Sequence, residues 1–300
     1  KTITFNKDFY SFYLNITLPL FLVFVFLIPP DAYGFYLVPI SMLLLFFSIF
    51  SLRWKLIMLI LALFVASADL TSRSNVIKFS LPLLFSMLYS FRFIFKKWYF
   101  ELIRNFFFLL PLFLFILGLL GVFNVFKINE YIKGNSTHGN VKTKDIIADS
   151  RTFLYFEVVQ SALKNKHILF GRSPARGNET TFFKDEDPAG RGERYRNEVA
   201  ILNLFTWCGI VGVVLYFLIF YHASYLAVNK SSNRFSKIIG IYLAFRFLYS
   251  WIEDVNELNL NYIVLWMLIG LCFSKEFRSL NDDEIKNWVR SIFKKKLKIV

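Results

Sequence analysis

The chain has 300 residues, 56% of them hydrophobic and 20% aromatic, and a formal net charge of +14. Mean hydropathy is +0.49, and several apolar runs match a bilayer core in length, which sets the class as a polytopic membrane protein. The runs lack strand-like alternation, which excludes a transmembrane barrel; inside hydrocarbon only helices then satisfy the backbone.

Eight spans follow in chain order, at 12–28, 34–52, 55–69, 76–91, 105–124, 199–221, 237–252 and 259–274. The expected fold is all-α, a polytopic membrane helix bundle of about eight transmembrane helices with one long external loop containing an amphipathic helix. Four segments organise it: N-terminal helices over 1–126, the external loop over 127–197, three more helices over 198–274 and a basic tail over 275–300. The first run reads as a signal anchor, because Ile28, Pro29, Pro30 and Asp31 make a poor peptidase site. The chain opens on Lys1, and the expectation is that further helices precede it in the intact protein. No internal repeat suggests an inverted-repeat transporter.

Short loops rich in Lys and Arg stay in the cytoplasm. Lys1 and Lys7, Arg53 and Lys55, the group Arg92, Lys96, Lys97 and Arg104, then Lys230, Arg234 and Lys237, and the tail from Lys275 all fall on one side. The opposite short loops hold Arg73, Lys78 and an acidic turn of Glu253, Asp254 and Glu257. Both termini are therefore expected in the cytoplasm and residues 127–197 outside. Most of the positive charge is topology, so no nucleic acid is needed to explain it. In the tail, Lys294, Lys295, Lys296 and Lys298 lie beside Trp288, Val289, Ile292 and Phe293, the pattern of an amphipathic helix on anionic lipid. Cys208 and Cys272 fall near opposite membrane faces and cannot bridge each other.

The external segment carries six arginines and is the place for chemistry. Residues 127–148 read as a polar loop. Asp149 and Ser150 then supply an N-cap, and Phe153, Phe156, Val159 and Leu163 share one face of an amphipathic helix resting on the membrane surface or the bundle. From Gly171 to Gly192 the chain is turn-rich, a loop folded over a cavity.

Each candidate residue has a plain alternative. Arg73 sits at the outer mouth of two spans, where a lone basic residue also serves as an interface anchor. Arg151 opens a helix, where its charge opposes the dipole unless an anion lies near. Arg172, Arg176, Arg191, Arg194 and Arg196 are either anion ligands or solvated loop charges. Arg246 lies about two turns inside the seventh span, where an ionisable group is costly and faces a partner or a polar cavity. It otherwise snorkels or pairs with Glu253 or Asp254. Several external arginines and one intramembrane arginine suit a lipid-linked diphosphate, whose oxygens guanidinium forks bind bidentately. The chemistry suggested is glycosyl transfer with the diphosphate as leaving group, which then needs only a base for the acceptor hydroxyl. Glu198, ending the loop beside Arg194 and Arg196, is that candidate; a carboxylate favoured by the helix dipole is the alternative.

Three places resemble the bacterial O-antigen ligases and O-antigen polymerases, polyprenyl-diphosphate-dependent membrane glycosyltransferases. Ser72-Arg73-Ser74 looks like the family's Ser-Arg element. Asp149-Ser150-Arg151, an aromatic helix and Phe170-Gly171 look like its external arginine and glycine element. Arg196-Asn197-Glu198, then Leu202 and Gly209-Ile-Val-Gly212, look like the segment joining loop to span. The resemblance implies that Arg73, Arg151 and Arg246 hold the diphosphate and that Glu198 positions or deprotonates the acceptor, which makes Glu198 and Arg151 the catalytic candidates; Arg172 is a further candidate for the diphosphate, and Arg194, Arg196 and Asn197 are candidates for contacts to acceptor or loop. It implies no metal and no cofactor. Its partners are a lipid-linked oligosaccharide donor, a glycan acceptor and membrane lipids, in the bacterial cytoplasmic membrane. Ligases of the family usually carry histidine where Glu198 stands, and none of His138, His167 or His222 occupies that place, which tilts the reading to a polymerase.

Remaining motifs are weak. Asp185-Glu186-Asp187 matches a D-x-D pattern but lies in a mixed-charge, turn-rich run that reads as solvated loop. Gly171 to Gly177 lacks the Lys-Ser/Thr ending of a nucleotide loop. The alternative from another class is a transporter or flippase of an anionic lipid-linked glycan.

Overall fold

The computed structural model describes residues 1–68, 73–89, 96–119, 150–180 and 190–293, without the side chains at 31, 73, 118–119 and 150–153. The described fold is helical, apart from one two-stranded antiparallel ladder in which Asn178 faces Arg194 and Glu179 faces Glu193. Among the described residues, three helices are long and apolar enough to cross a membrane: Thr2–Leu27, Lys97–Leu117 and Ala200–Asn229. The chain divides into two compact units: Lys1–Asn105, Phe220–Arg246 and Asn256–Val300 form one, and Phe106–Ile219 with Phe247–Val255 form the other.

In the first unit the opening helix starts ten residues earlier than the apolar run suggests. It carries a π-helical turn at Tyr13–Thr17, immediately before Pro19, whose missing N–H removes one bond of the regular ladder. The run at 34–52 differs from the single span expected of it. It breaks into Tyr33–Tyr36, Val38–Leu44 and a 3₁₀ turn at Phe47–Ile49, with Pro39 at the start of the middle piece. All seven residues of Val38–Leu44 are buried, at the centre of this unit. Tyr10 donates its hydroxyl to the Met42 sulfur, and Tyr13 donates to the Tyr36 carbonyl at 2.8 Å. The helices Leu52–Ala68, Arg73–Leu88 and Leu260–Phe273 pack around this piece. They have 17, 16 and 14 residues, about 21–26 Å at 1.5 Å per residue, against a hydrocarbon core of about 30 Å.

The C-terminal helix, Asp282–Ile292, opens with a capping box of Asn281 and Glu284. The sequence suggests that its apolar face lies on lipid; the structure buries Ile285, Trp288, Val289 and Ile292 in the protein. Trp288 meets the rings of Phe46 and Phe277, and Phe293 meets Phe50 and Trp54. The lysines at 294–298 lie outside the described residues.

In the second unit the helix Ser150–Lys164 is where the sequence places one, but it turns the other stripe inward. Leu154, Val158 and Ala162 are buried, with Leu154 and Val158 packed on Val199 and Leu202, while Phe156 and Leu163 are 64% and 61% exposed. Both stripes are apolar, so hydrophobicity alone does not choose between them. The buried polar groups on the inward side do choose: Glu157 accepts from the Thr180 hydroxyl at 2.9 Å and Ser161 accepts from the Glu179 N–H at 3.0 Å. The expected cap residue Asp149 and the loop 127–148 lie outside the described residues.

Candidate functional site

The polar centre of the second unit is built on an interruption in helical backbone. The helix Ala200–Asn229 is broken at Gly209, whose φ is 66° and ψ −163°. A break frees carbonyls before it and N–H groups after it, and the segment Ile168–Ser173 takes up both sets. Arg172 N donates to Thr206 O at 2.7 Å and Ser173 N to Trp207 O at 3.0 Å, while Ile210 N and Val211 N donate to Ile168 O and Leu169 O at 2.8 and 3.2 Å. The backbones approach so closely that a Cβ at Gly209 would lie 2.3 Å from the Leu169 carbonyl, and one at Gly171, also at positive φ, 2.4 Å from the Trp207 carbonyl carbon. Phe170-Gly171 and Gly209-Ile-Val-Gly212, quoted separately from the sequence, are thus two sides of one junction.

Past this junction the loop is held by Glu193. Its side chain is buried and accepts from Arg172 Nη2 at 3.1 Å, from Arg176 Nε and Nη2, and from Gly177 N at 3.4 Å. Arg172 also donates to Gly177 O at 3.0 Å. The Arg176 hydrogen bonds and the charge of Arg172 outweigh desolvation and hold the Glu193 carboxyl below its usual range. Arg172, a candidate for the diphosphate, is engaged here in an ion pair that fixes the loop. Lys164 and Asn165 bond the Glu179 carboxylate at 2.7 and 2.9 Å, tying the ladder to the end of the Ser150–Lys164 helix. His167 follows that helix; desolvation first, and the charge of Arg172 second, lower its pKa.

Glu198 stands two residues before the helix starting at Ala200. The first N–H groups of that helix are taken: Ala200 N donates to Glu253 O and Ile201 N to Ser250 O. An anion in this region is therefore met by side chains rather than by the helix terminus. Arg194 is buried, with its Nη2 4.0 Å from Glu198 Oε1, and the Glu198 side chain is 60% exposed. Between them the backbone is pinned by a reciprocal pair, in which Asn197 N donates to Asn203 Oδ1 at 2.6 Å and Asn203 Nδ2 donates to Asn197 O at 2.8 Å. Asn203 also donates to Asp254 Oδ2 at 3.1 Å, the oxygen that accepts from Arg196 Nε at 2.8 Å. Asn197 Nδ2 reaches Asn178 Oδ1 at 3.1 Å, and the buried Asn197 Oδ1 has no hydrogen-bond partner.

Arg194, Arg196, Asn197 and Glu198 are therefore brought together, with Arg172 on the adjoining loop. Arg246 belongs to the first unit, where it is buried and donates from Nη2 to Asn261 Oδ1 at 2.9 Å. The side chains of Arg73 and Arg151, and the Asp185-Glu186-Asp187 run, lie outside the described residues. Sequence reasoning missed Glu193, Asn203, Asn178 and Asp254. Asn203 had a usable signal, a lone amide in the apolar run Ala200-Ile-Leu-Asn-Leu-Phe205, since such groups seek partners in low dielectric. No family model, curated protein or solved structure matches the chain.

Proposed function

We propose that the chain is a polytopic bacterial cytoplasmic-membrane glycosyltransferase that moves a glycan from a polyprenyl-diphosphate carrier to an acceptor sugar hydroxyl, as a polymerase rather than a ligase. The eight apolar runs, both termini in the cytoplasm and an external 127–197 segment belong to this reading. The observation that carries it is the pairing of an exposed carboxylate, Glu198, with a buried guanidinium, Arg194, on backbone fixed by Asn203 and Asp254. A base needs access to its substrate, and a fixed cation needs rigid support to act on a developing anion without reorganisation.

In the proposed step Glu198 accepts the proton of the acceptor hydroxyl. That oxygen forms the bond to the anomeric carbon as the bond from this carbon to the carrier's diphosphate oxygen breaks. The carrier diphosphate leaves with the negative charge, which arginines neutralise; Arg151 is the first candidate and Arg194 the second. Arg172 and Arg176 act through Glu193 by holding the loop. Arg73 and Arg246 retain a diphosphate role by resemblance alone. A single displacement inverts the anomeric centre.

The test is glycan transfer in a host lacking its own polymerase and ligase, comparing the intact protein with Glu198→Gln, Arg151→Ala and Arg194→Ala at matched membrane levels. Glu198→Gln is expected to lower chain extension about 10²-fold or more, as loss of a general base does, with lipid-linked single units accumulating outside. Unchanged extension in all three refutes the site. Transport of an anionic lipid-linked glycan is the second reading, favoured by the burial of Arg246, and accumulation of units on the cytoplasmic face in the variants would establish it instead.

A further inference from the structure

A second basic site lies in the first unit. In the Lys97–Leu119 helix Arg104 is 3% exposed, an unusual burial for a permanent charge. Its guanidinium lies over two aromatic rings one helical turn apart, 4.6 Å from the Tyr221 centroid and 5.6 Å from that of Tyr225. Nε and Nη1 are both buried and neither has a hydrogen-bond partner. No carboxylate pairs with Arg104 among the described residues, although Glu101 stands one turn before it on the same helix. One turn beyond Tyr225, both side-chain polar atoms of Asn229 are likewise buried without a partner.

Cation–π attraction offsets part of the cost of taking a guanidinium out of water, but it leaves planar N–H donors unused. Such donors are satisfied when an anionic oxygen reaches them, because a guanidinium hydrogen-bonds phosphate oxygens strongly. The surroundings indicate where that anion comes from. Lys97 starts one helix and Lys230 follows the other, each within about two turns of the Arg104 level. Trp98 and Leu102, which precede Arg104 on the same helix, are 63% and 50% exposed, the aromatic and apolar dress of a helix entering lipid at its headgroup boundary.

We propose that Arg104, seated on Tyr221 and Tyr225, binds the phosphodiester of an anionic phospholipid in the leaflet facing the basic loops. The proposal rests on the membrane part of the functional reading and not on glycan transfer. Its role is to lock the Lys97–Leu119 helix to Phe220–Asn229 with a lipid as the missing counterion.

The experiment uses the full chain purified in a zwitterionic detergent, with melting followed on addition of dioleoylphosphatidylglycerol, dioleoylphosphatidylcholine or inorganic phosphate, and retained lipid counted by native mass spectrometry. Phosphatidylglycerol is expected to raise the midpoint by several degrees and to remain bound, with phosphatidylcholine and inorganic phosphate doing neither. Arg104→Met keeps the volume and removes the charge; it is expected to be no less stable than the parent without lipid and to lose the shift. Tyr221→Leu with Tyr225→Leu should lose most of the shift while the arginine remains. A full shift in Arg104→Met, equal shifts from the two lipids, or an equal shift from inorganic phosphate each overturn the proposal. Reconstitution into nanodiscs separates the two readings: a protein that incorporates but shows no lipid preference loses only this site, whereas one that fails to incorporate loses the membrane reading as well.

Discussion

Glu193 shows how one carboxylate fixes a loop that has little hydrophobic material of its own. Arg172, Arg176 and Gly177 N all converge on it, so its removal leaves two guanidinium groups and an amide short of an acceptor. Glu193→Gln is expected to cost about 2–3 kcal/mol of loop stability, the scale of hydrogen bonds to a charged group. The same contacts make the loop sensitive to acid. The folded state lowers the Glu193 pKa, chiefly through Arg176, so the ionised form favours folding. That contribution is complete above the ordinary carboxylate range and is lost as pH falls through the lowered folded value. Hydrogen exchange at Gly177–Thr180 should therefore stay slow at neutral pH and rise steeply in acid, and Glu193→Gln should exchange quickly at both. An acid response identical in the variant would place the titrating group elsewhere, with Glu179 next in line because Lys164 and Asn165 lower its pKa too.

At the scale of elements, the broken helix and the Ile168–Ser173 segment form one hydrogen-bonded joint, and its two glycines are required for separate reasons that coincide. Each has positive φ, and each has a neighbouring backbone where its Cβ would stand. Gly171→Ala and Gly209→Ala should each destabilise the protein by at least about 2–3 kcal/mol. Gly190 supplies the control, since it also has positive φ but nothing within 4 Å of its Cβ position; Gly190→Ala should cost about 1 kcal/mol, the conformational term alone. Melting midpoints of the three variants in one detergent check this, and three equal losses would mean that backbone strain rather than close approach sets the requirement. The helix Ser150–Lys164 and the turn at Gly171 were legible in the sequence, because spacing and residue type report local backbone; the break at Gly209 was not, since the apolar run 199–221 reads as one unbroken span. The inward stripe of the Ser150–Lys164 helix was not legible either: Leu154-Val158-Ala162 and Phe156-Leu163 are both apolar, and only the partners Thr180 and Glu179, remote in sequence, decide between them. Glu193 was hidden for the same reason, since a glutamate in a mixed-charge loop carries no mark of the arginines 17 and 21 positions away.

For the whole molecule, hydropathy identified apolar runs but did not separate side chains buried in protein from those buried in lipid. Val38–Leu44 is as apolar as a span and is core, while Lys97–Leu117 and Ala200–Asn229 have the length to cross. Within the last of these, the break at Gly209 divides a short piece bearing the buried Asn203 and Thr206 from Ile210–Asn229. That second piece alone spans about 30 Å at 1.5 Å per residue, a full hydrocarbon core. Cys208 sits next to the break and is exposed, whereas Cys272 is buried in the Leu260–Phe273 helix, and neither is disulfide-bonded. If Ile210–Asn229 crosses the membrane and Lys230 marks its cytoplasmic end, Cys208 stands at the outer boundary. A membrane-impermeant maleimide added to right-side-out cells should label Cys208, and Cys208→Ser should abolish that signal. Cys272 should react from neither side until the protein is denatured. Labelling of Cys208 only in inverted vesicles would reverse the orientation, moving Glu198 to the side where polyprenyl-linked glycans are built rather than extended, and the proposed transfer would fall with it.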